Sequence, residues 1–529
     1  MKIKYEVKTM EEHIMQNQTE MFDEDITAYV NVPYFLFDDV TPAIKQKYSD
    51  EITEIKKLYS YYDKGVKFYP EGSNNDYVPS DLRFRKSAMI MNKEARFLFS
   101  NPPTFNVNVD DVSGEYEDEN AIIQDFLDNV LKKNNFNGGL MKSLKDCFIG
   151  KRIAIVANFN EQRGITITFL NSLEFIYELS PDGTNEITKF VTFYNQIESS
   201  VLKEQRWFKK VYTKENDGVY LHEAIYAGNG DLIETVTTRT KIKLEVIPAV
   251  IVLNDGLTGD TDGESELSSL TRYEKTYSKL ANADMDAERK SMNPIRYTID
   301  ASQQSTKNLS SSPGSYWDIQ SDEDKAETRT AKVGIIEANM NYSSPLKTTL
   351  DRIESEMYAE LDVPNVNNEQ LMGVITSGKT IQALYWGLTV RCDEKMLSWG
   401  FALVTLAEII IEGGKLYPNC ISKYTDEKSL PDIPYDVTVE NNYPLPEDIQ
   451  EEKTMDIAEV ESKLMSRKAY LKKWRKLNDK EAMEELKQIQ LETEMLENSF
   501  QVQGNAGQLD EPTMDEEDNE EENVNEESI

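Results

Sequence analysis

The sequence predicts an α+β fold, and three of its features carry that prediction. From about Arg152 to Leu253, apolar and polar residues alternate in short segments separated by tight-turn sequences such as ENDG, which is typical of antiparallel strands. Apolar residues at helical spacing occur on both sides of this region. The longest helical pattern runs from Ile381 to Ile410. We therefore expect helices that pack against antiparallel sheets.

The composition favours a large folded protein with an acidic surface. The chain has 529 residues, of which 39% are hydrophobic and 29% charged, enough for several domains. Its formal net charge of -37 argues against non-specific binding of nucleic acid, because phosphates would be repelled. Such a surface suits a protein past which DNA slides without sticking. Part of the charge is local, since residues 501–529 are rich in Asp and Glu, and we expect this tail to be disordered.

The composition also disfavours several classes of site. Cys147, Cys392 and Cys420 have no metal-binding or redox spacing and fit a reducing compartment without disulfides. His13 and His222 are the only histidines, so neither a Ser-His-Asp triad nor a histidine-rich metal site is expected. The sequence predicts no catalytic residue, no cofactor and no metal ligand. We also expect no signal peptide and no membrane association, because the longest apolar run is too short to span a bilayer.

One short motif points to a different function. Gly373–Thr380, GVITSGKT, matches the phosphate-binding pattern G-x-x-x-x-G-K-[ST], in which Lys379 would hold phosphates and Thr380 magnesium. A P-loop ATPase, such as a DNA-packaging motor, is therefore the alternative function. The pattern needs a buried strand before it and a strand ending in Asp after it. The preceding residues are polar and contain Pro364, so we favour a loop that leads into a capped helix.

The first half of the chain changes from helices to strands. Residues 1–41 are poorly patterned. The predicted helices are residues 43–63, Leu82 to Phe99, Asn120 to Lys133 and Leu140 to Phe148. The predicted strands are FNVNV, RIAIVANF, GITITFL, KFVTFYN, RWFKKVYT, GVYLHEAIYA and IPAVIVL. The acidic segment Asp255 to Glu266 lacks the spacing of an EF-hand, so we interpret it as a linker and leave open whether a metal binds there.

The second half predicts two medium helices around a small lobe. The first helix covers Leu267 to Met292 and ends at Asn293-Pro294. The second covers Ser344 to Val363, where Ser344 and Pro345 form a good helix start. A polar loop and one long helix follow. Gly387 and Gly400 lie inside the long helix and predict bends there.

This order of elements resembles the portal proteins of tailed bacteriophages, in particular those of long-tailed phages of Gram-positive hosts. The resemblance runs from about Asp81 to Asp456 and includes SDLRFRKSAMIMNKEARFLFSNPPTFNV, although Ser100-Asn101 stands where the family commonly has glycine. It also includes LKDCFIGKRIAIVANF, DVPNVNNEQLMGVITSGKTIQALYWGLTVRCDEKM and PYDVTVENNYPLPED. No single motif is diagnostic, but their order and spacing cover most of the chain.

The resemblance implies a portal-type subunit with a mixed α/β wing, a two-helix stem, a small clip lobe, a long kinked helix and a helical C-terminal crown. The implied parts are the N-terminal segment 1–41, wing 42–264, stem helices 265–292 and 343–363, clip 293–342, tunnel loop 364–376, long helix with wing completion 377–446, crown 447–500 and tail 501–529. Asn365, Asn367, Asn368 and Gln370 would face DNA in the tunnel loop. Neutral amides can touch phosphates without fixing them, although such residues also commonly form loops.

The resemblance also implies partners and a location. Portal subunits form a ring, usually a dodecamer, at one vertex of the capsid, through which double-stranded DNA is packaged and ejected. The implied partners are other copies of the chain, DNA, the terminase large subunit, the major capsid and scaffolding proteins and later a head-tail adaptor. The ring would assemble in the host cytoplasm and remain in the virion. A closed ring of identical chains requires two different, complementary faces on each copy.

Overall fold

The structure is a computed structural model that describes most of the chain between Val32 and Glu492. The described ranges are 32–66, 78–108, 117–199, 201–257, 259–292, 295–307, 309, 317–321, 330–336, 340–366, 378–445, 449–475 and 482–492. Most of segment 1–41 and all of tail 501–529 therefore lie outside the described residues. The chain forms two compact units, one of residues 1–375 and 380–445 and the other of residues 376–379 and 446–529.

Among the described residues, four helices come first in the first unit. They are α1 (Pro42–Lys64), α2 (Lys86–Phe99), α3 (Glu117–Lys133) and α4 (Phe136–Gly150), preceded by a single 3₁₀ turn at Tyr34–Phe37. The apolar faces of α2, α3 and α4 are buried in one large core. α2 begins later than the predicted Leu82 because the backbone of Leu82 bonds instead to the Asn282 side chain, with Leu82 N donating over 2.8 Å.

Two antiparallel sheets follow. β2 (Arg152–Asn160), β3 (Gly164–Asn171) and β9 (Ala249–Leu253) form a sheet in the order β3-β2-β9. β4 (Phe175–Leu179), β5 (Ile187–Ile197), β6 (Arg206–Glu215), β7 (Gly218–Ala227) and β8 (Leu232–Lys241) form the other in sequence order. The alternation pattern identified all of these strands except β4 and β8. β8 is exposed on nearly every residue, so no alternation marks it.

A third pairing joins distant parts of the chain. β1 (Thr104–Asn108) pairs antiparallel with β12 (Asp436–Glu440), so that Phe105 lies opposite Val439. Gln124 of α3 donates to Phe105 O over 2.9 Å and accepts from Val107 N over 2.7 Å, which fixes β1 on α3. This pairing brings the predicted wing completion onto the N-terminal helices.

Two helices enclose a small hairpin. α5 (Glu266–Met292) precedes β10 (Ile295–Ile299), a short helix at Gln303–Thr306 and β11 (Lys332–Ile336). β10 and β11 pair antiparallel, and after a 3₁₀ turn at Met340–Tyr342 the chain returns through α6 (Ser343–Glu360). α5 packs against α6. α6 ends at Glu360, earlier than the predicted Val363, because Asp362 adopts a left-handed conformation with φ of 50°.

The predicted long helix is divided into α7 (Gly378–Leu384) and α8 (Trp386–Leu416). The break lies at Tyr385, two residues before Gly387, whereas the helical assignment of α8 continues through Gly400, so the predicted bend at Gly400 stays a prediction. The buried stripe was predicted correctly along α8: Leu388, Cys392, Trp399, Leu403, Leu406 and Ile410 are buried. α8 packs on β2, β9, β12 and α3, and a short helix at Pro418–Ile421 follows it.

α8 has the length and hydropathy of a membrane-spanning helix, which differs from the expectation that no apolar run is long enough to span a bilayer. Its most apolar window has a mean hydropathy of 1.5, and half of that window is buried inside the protein. The buried half belongs to the core that also contains α2, α3 and α4. Length and hydropathy alone are weak evidence for a span, because the core helix of a soluble protein has both.

The second unit is helical where it is described. It contains α9 (Ile449–Glu461), α10 (Arg467–Arg475) and a helical stretch at 482–492. Trp474 of α10 donates its indole N–H to Asp456 of α9 over 2.7 Å, and Lys473 pairs with the same carboxylate over 2.8 Å. These contacts join two short helices that bury few apolar side chains.

Candidate functional site

The α5–α6 helix pair is buried at one end and exposed at the other. Leu267 and Leu270 of α5 are fully buried, as is Met357 near the end of α6. Residues 288–290 of α5 and residues 343–345 of α6 are exposed, and Met292 has 79% of its surface accessible. One end of the pair thus belongs to the core, and the other carries the β10–β11 hairpin away from it.

α2 holds both helices of the pair. The backbone N–H of Ser87 donates to Glu274 of α5 over 3.1 Å, and the Ser87 hydroxyl donates to the same carboxylate. Lys86 pairs with Glu354 of α6 over 2.6 Å, and Lys93 donates to the Tyr358 hydroxyl over 3.0 Å. Burial raises the pKa of Glu274. These contacts fix the spacing and the rotation of α5 and α6.

The extended segment before α2 continues this attachment along α5. Asn282 donates to Leu82 O over 2.7 Å and accepts from Leu82 N over 2.8 Å. Its side-chain amide therefore pairs with both backbone groups of Leu82, as a neighbouring strand would. One helical turn further, Asp286 accepts from Ser80 N over 3.0 Å and from the Ser80 hydroxyl over 2.7 Å. Polar side chains therefore continue the attachment where the apolar contacts of α5 end.

A buried cluster of charges joins α2, α5 and α8. Lys395 of α8 lies 2.5 Å from Glu266, in the first turn of α5, and 3.8 Å from Glu94 of α2. Arg391, one turn earlier on α8, lies 2.9 Å from Glu94 and 3.1 Å from Glu266. Asp255, after β9, is 3.3 Å from Lys395. The cluster therefore fixes the start of α5 against the long helix and α2.

The surroundings of this cluster shift the pKa values of its side chains. Burial, together with the charge of Glu266, raises the pKa of Glu94 to about 8, against the opposing effect of Lys395 and Arg391. Burial acts to lower the pKa of Lys395, but the carboxylates of Glu266 and Glu94 outweigh it and raise that pKa. Oε2 of Glu94 and Oε2 of Glu266 are buried without a hydrogen-bond partner. Removing either cation would therefore leave the two buried acids with a single cation between them.

Acidic side chains of the segment Asp255 to Glu266 pair with Lys and Arg side chains of the same chain. Asp255 and Glu266 face Lys395 and Arg391, and Asp262 pairs with Lys47 over 2.5 Å. Asp260 accepts from the backbone of Asp262 over 2.9 Å. Within the described ranges, no group of three or more His, Cys, Asp or Glu side chains is arranged to hold a metal ion.

The predicted DNA-facing residues are only partly described. Asn365 is exposed and follows Pro364, directly after the turn that ends α6. Asn367, Asn368 and Gln370 lie outside the described residues, so their predicted role stays a prediction.

The structure gives no support to a phosphate-binding loop. Residues 361–366, which precede Gly373, form a turn and extended chain but no strand, and the described sheets contain only antiparallel pairs. Gly378, Lys379 and Thr380 form the first turn of α7. Gly373 to Ser377 lie outside the described residues. Within the described residues, the GKT sequence begins a helix, and no sheet contains the parallel strand that a P-loop needs.

Sequence reasoning missed the buried charge cluster. Lys395 occupies the same helical stripe as Cys392 and Trp399, and Glu94 lies among the buried positions Met91, Ala95 and Leu98. A charge within an apolar stripe was the available signal, since such a residue is rarely buried without a partner. The identity of its partner depends on tertiary packing that the local pattern does not contain.

Comparison with protein families identifies the chain. The family described as phage portal protein, SPP1 Gp6-like, matches residues 43–499. The match covers most of the sequence, so the chain belongs to the SPP1 Gp6-like family of phage portal proteins. No curated protein matches it significantly.

Family membership confirms the predicted portal function and the predicted α+β portal-type fold. Portal proteins are structural proteins of the capsid's portal vertex, where they form an oligomeric ring that interacts with DNA, terminase and capsid. No observation supports the ATPase alternative.

Proposed function

We propose that this portal protein closes into a dodecameric ring in which α5 and α6 of every copy stand around the DNA passage. The supporting observation is the helix pair itself, which is held at one end by α2, Glu274 and the charge cluster and is exposed at the other. Such a pair can present one polar face to a central hole while its attachment keeps twelve copies equivalent. The protein acts as a passive conduit and not as an enzyme.

In the proposed ring, the other segments of the chain form the wing, the clip and the crown. Residues 42–264 and 377–446 form the wing, 265–292 and 343–363 the stem, 293–342 the clip and 447–500 the crown. The clip, with the exposed β10–β11 hairpin, meets the terminase large subunit during packaging and the head-tail adaptor afterwards. The wing meets the major capsid and scaffolding proteins as the ring assembles in the host cytoplasm.

The tunnel loop, residues 364–376, would touch the DNA. Its neutral amides, Asn365, Asn367, Asn368 and Gln370, contact phosphates without forming ion pairs, so DNA slides. Placing lysines at Asn367 and Asn368 adds phosphate ion pairs from every copy of the ring, and we expect packaging to slow at low salt and recover as salt rises. The measurement is the packaging rate in a reconstituted reaction. Serines at the same positions stay neutral and are the matched control. An unchanged packaging rate in the lysine variant would mean that this loop does not contact DNA.

Electron microscopy of the purified full-length chain tests the ring. We expect class averages of a closed ring with a central hole and a particle mass that is a multiple of the 60.7 kDa chain. Monomers, or open helical filaments, at all concentrations would contradict the proposal, because neither provides a passage.

A further inference from the structure

α8 exposes four large apolar side chains to solvent, in two pairs. Trp386, Val390, Leu397 and Phe401 lie on one side of the helix, at steps of four, seven and four residues, and are 69%, 41%, 77% and 76% exposed. The exposed acids Asp393 and Glu394 lie between the two pairs, so the uncharged part of this side is the part around Leu397 and Phe401. Single exposed apolar residues are ordinary, but two large neighbours in an uncharged segment mark an interaction surface. We call Trp386, Val390, Leu397 and Phe401, with Gly400 beside them, the outer face of α8.

A mostly apolar cleft continues this face, and Asn185, Asp260 and Thr261 also line it. It has a volume of about 320 Å³ and lies between Phe401 and Thr405 of α8 and the strands β4, β5 and β9, where Leu179, Ile187 and Ile251 line it. The cleft is large enough for a bulky side chain from another molecule. The outer face therefore consists of a ridge of large side chains with an adjoining depression.

The glycines of α8 separate into two groups, and Gly387, where a Cβ would lie 3.6 Å from Asp362, belongs with Gly400. A Cβ at Gly413 would lie 2.1 Å from Phe159, and one at Gly414 would lie 2.7 Å from Leu430, so packing inside the chain requires both glycines. A Cβ at Gly400 would meet only Met396, at 3.9 Å. Glycine inside a helix is unfavourable compared with alanine, and nothing within the described chain requires it at Gly400. Close approach of another molecule would explain it.

Charge favours a second copy as that molecule. Each chain carries a net charge of -37, so copies repel one another except where acidic groups are absent. The twelve residues from Met396 to Ala407 contain no ionisable side chain. The exposed acids Asp393, Glu394 and Glu408 lie just outside this segment, so only this central part of α8 is a surface on which two like-charged copies can meet.

We propose that the outer face of α8 is one of the two contact faces between neighbouring copies in the ring, with a side chain of the neighbour filling the adjoining cleft. The inference rests on the proposed ring, because a closed ring gives every copy one such face and a different complementary surface. Gly400 permits the neighbour's close approach, and Leu397 and Phe401 supply the buried apolar area.

Thiol labelling tests which molecule covers this face. Ser398 is exposed beside Leu397, and Ser398→Cys is nearly isosteric. The native Cys147, Cys392 and Cys420 are at most 1% exposed, so they give little background with maleimide. We expect Ser398→Cys to react at least about tenfold more slowly in assembled rings than in monomers separated by gel filtration. Ser429→Cys, in an exposed loop, is the control and should react equally in both fractions.

Other labelling results would overturn the inference. Equal reactivity of Ser398→Cys in rings and monomers would mean that no neighbour covers α8. Protection in both fractions would mean that a segment of the same chain covers it. If the wild-type chain forms no ring at all, the proposed function fails first, so the two failures are distinguishable.

A charge variant tests the contact independently of labelling. Leu397→Glu adds an acidic group to the outer face, and since Leu397 is 77% exposed the monomer should fold with an unchanged Tm. We expect ring formation to be lost. Leu232→Glu, at a leucine that is 58% exposed on β8, is the matched control and should still assemble. Normal ring yield from Leu397→Glu would contradict the inference.

Discussion

Glu94 of α2 is a buried carboxyl group of the charge cluster. Its side chain is completely buried, and the nearest charges are two cations from α8 and a second carboxylate from α5. A carboxyl group in such a site retains its proton to higher pH than the same group in the unfolded chain. The stability of the first unit should therefore depend on pH near neutrality.

We predict that the wild-type protein loses stability as pH rises from about 5 to 8. The pKa of Glu94 is raised to about 8 in the folded chain, compared with about 4.3 when unfolded. Between these values the folded state holds a proton that the unfolded state has released, so the free energy of unfolding falls as pH rises. Glu94→Gln keeps the shape but cannot titrate, and its denaturation midpoint should fall less over this range.

Chemical denaturation of both proteins at several pH values measures the difference. Glu427→Gln, at an exposed loop position, is the control and should follow the wild type. If Glu94→Gln also follows the wild type, Glu94 is ionised throughout the range, and the cluster is held by ion pairs alone.

Among the elements, α6 is notable for how it ends. Val363 N bonds to Tyr358 O over 3.0 Å and Asp362 N bonds to Ala359 O over 3.2 Å, which is the Schellman arrangement with Asp362 in the left-handed position. The apolar residues Tyr358 and Val363, at the two ends of this turn, are both buried. This turn directs the chain from the helix pair into the predicted tunnel loop.

Replacing Asp362 by glycine should stabilise the first unit by about 0.5–1 kcal/mol. A left-handed conformation is unfavourable for a residue with a Cβ and is neutral for glycine, although glycine also gains freedom in the unfolded chain. The measurement is the free energy of unfolding in denaturant. Asp362→Ala retains the Cβ and should show no gain. A destabilised Asp362→Gly variant would mean that the aspartate side chain makes a contact that outweighs the strain.

Element prediction from sequence succeeded where an element has at least one buried face. The stripe of α8 packs on the main core, and β2 is buried on both faces, between that core and a second apolar cluster. β8 was missed since neither of its faces is buried, and the break at Tyr385 was misplaced because Gly387 and Gly400 were treated as the weak points.

At the scale of the whole molecule, the sequence predicted the order of elements but not how distant segments meet. The β1–β12 pairing joins Thr104 to Glu440, and the charge cluster joins Glu94, Glu266 and Lys395. Neither the strand pairing nor the charge cluster has a local sequence pattern that predicts which residues meet. The portal resemblance provided the architecture, and the tertiary contacts explain why the α5–α6 pair can be a rigid part of it.

The central claim is that α5 and α6 surround the passage of the ring. A cryo-electron microscopy map of the assembled full-length protein tests it most directly, since the elements nearest the symmetry axis can be identified from side-chain density. We expect α5 and α6 of every copy to be closest to the axis, with the β10–β11 hairpin at one mouth of the hole. A ring whose hole is lined by the β4–β8 sheet, with the helix pair on the outside, would contradict the account.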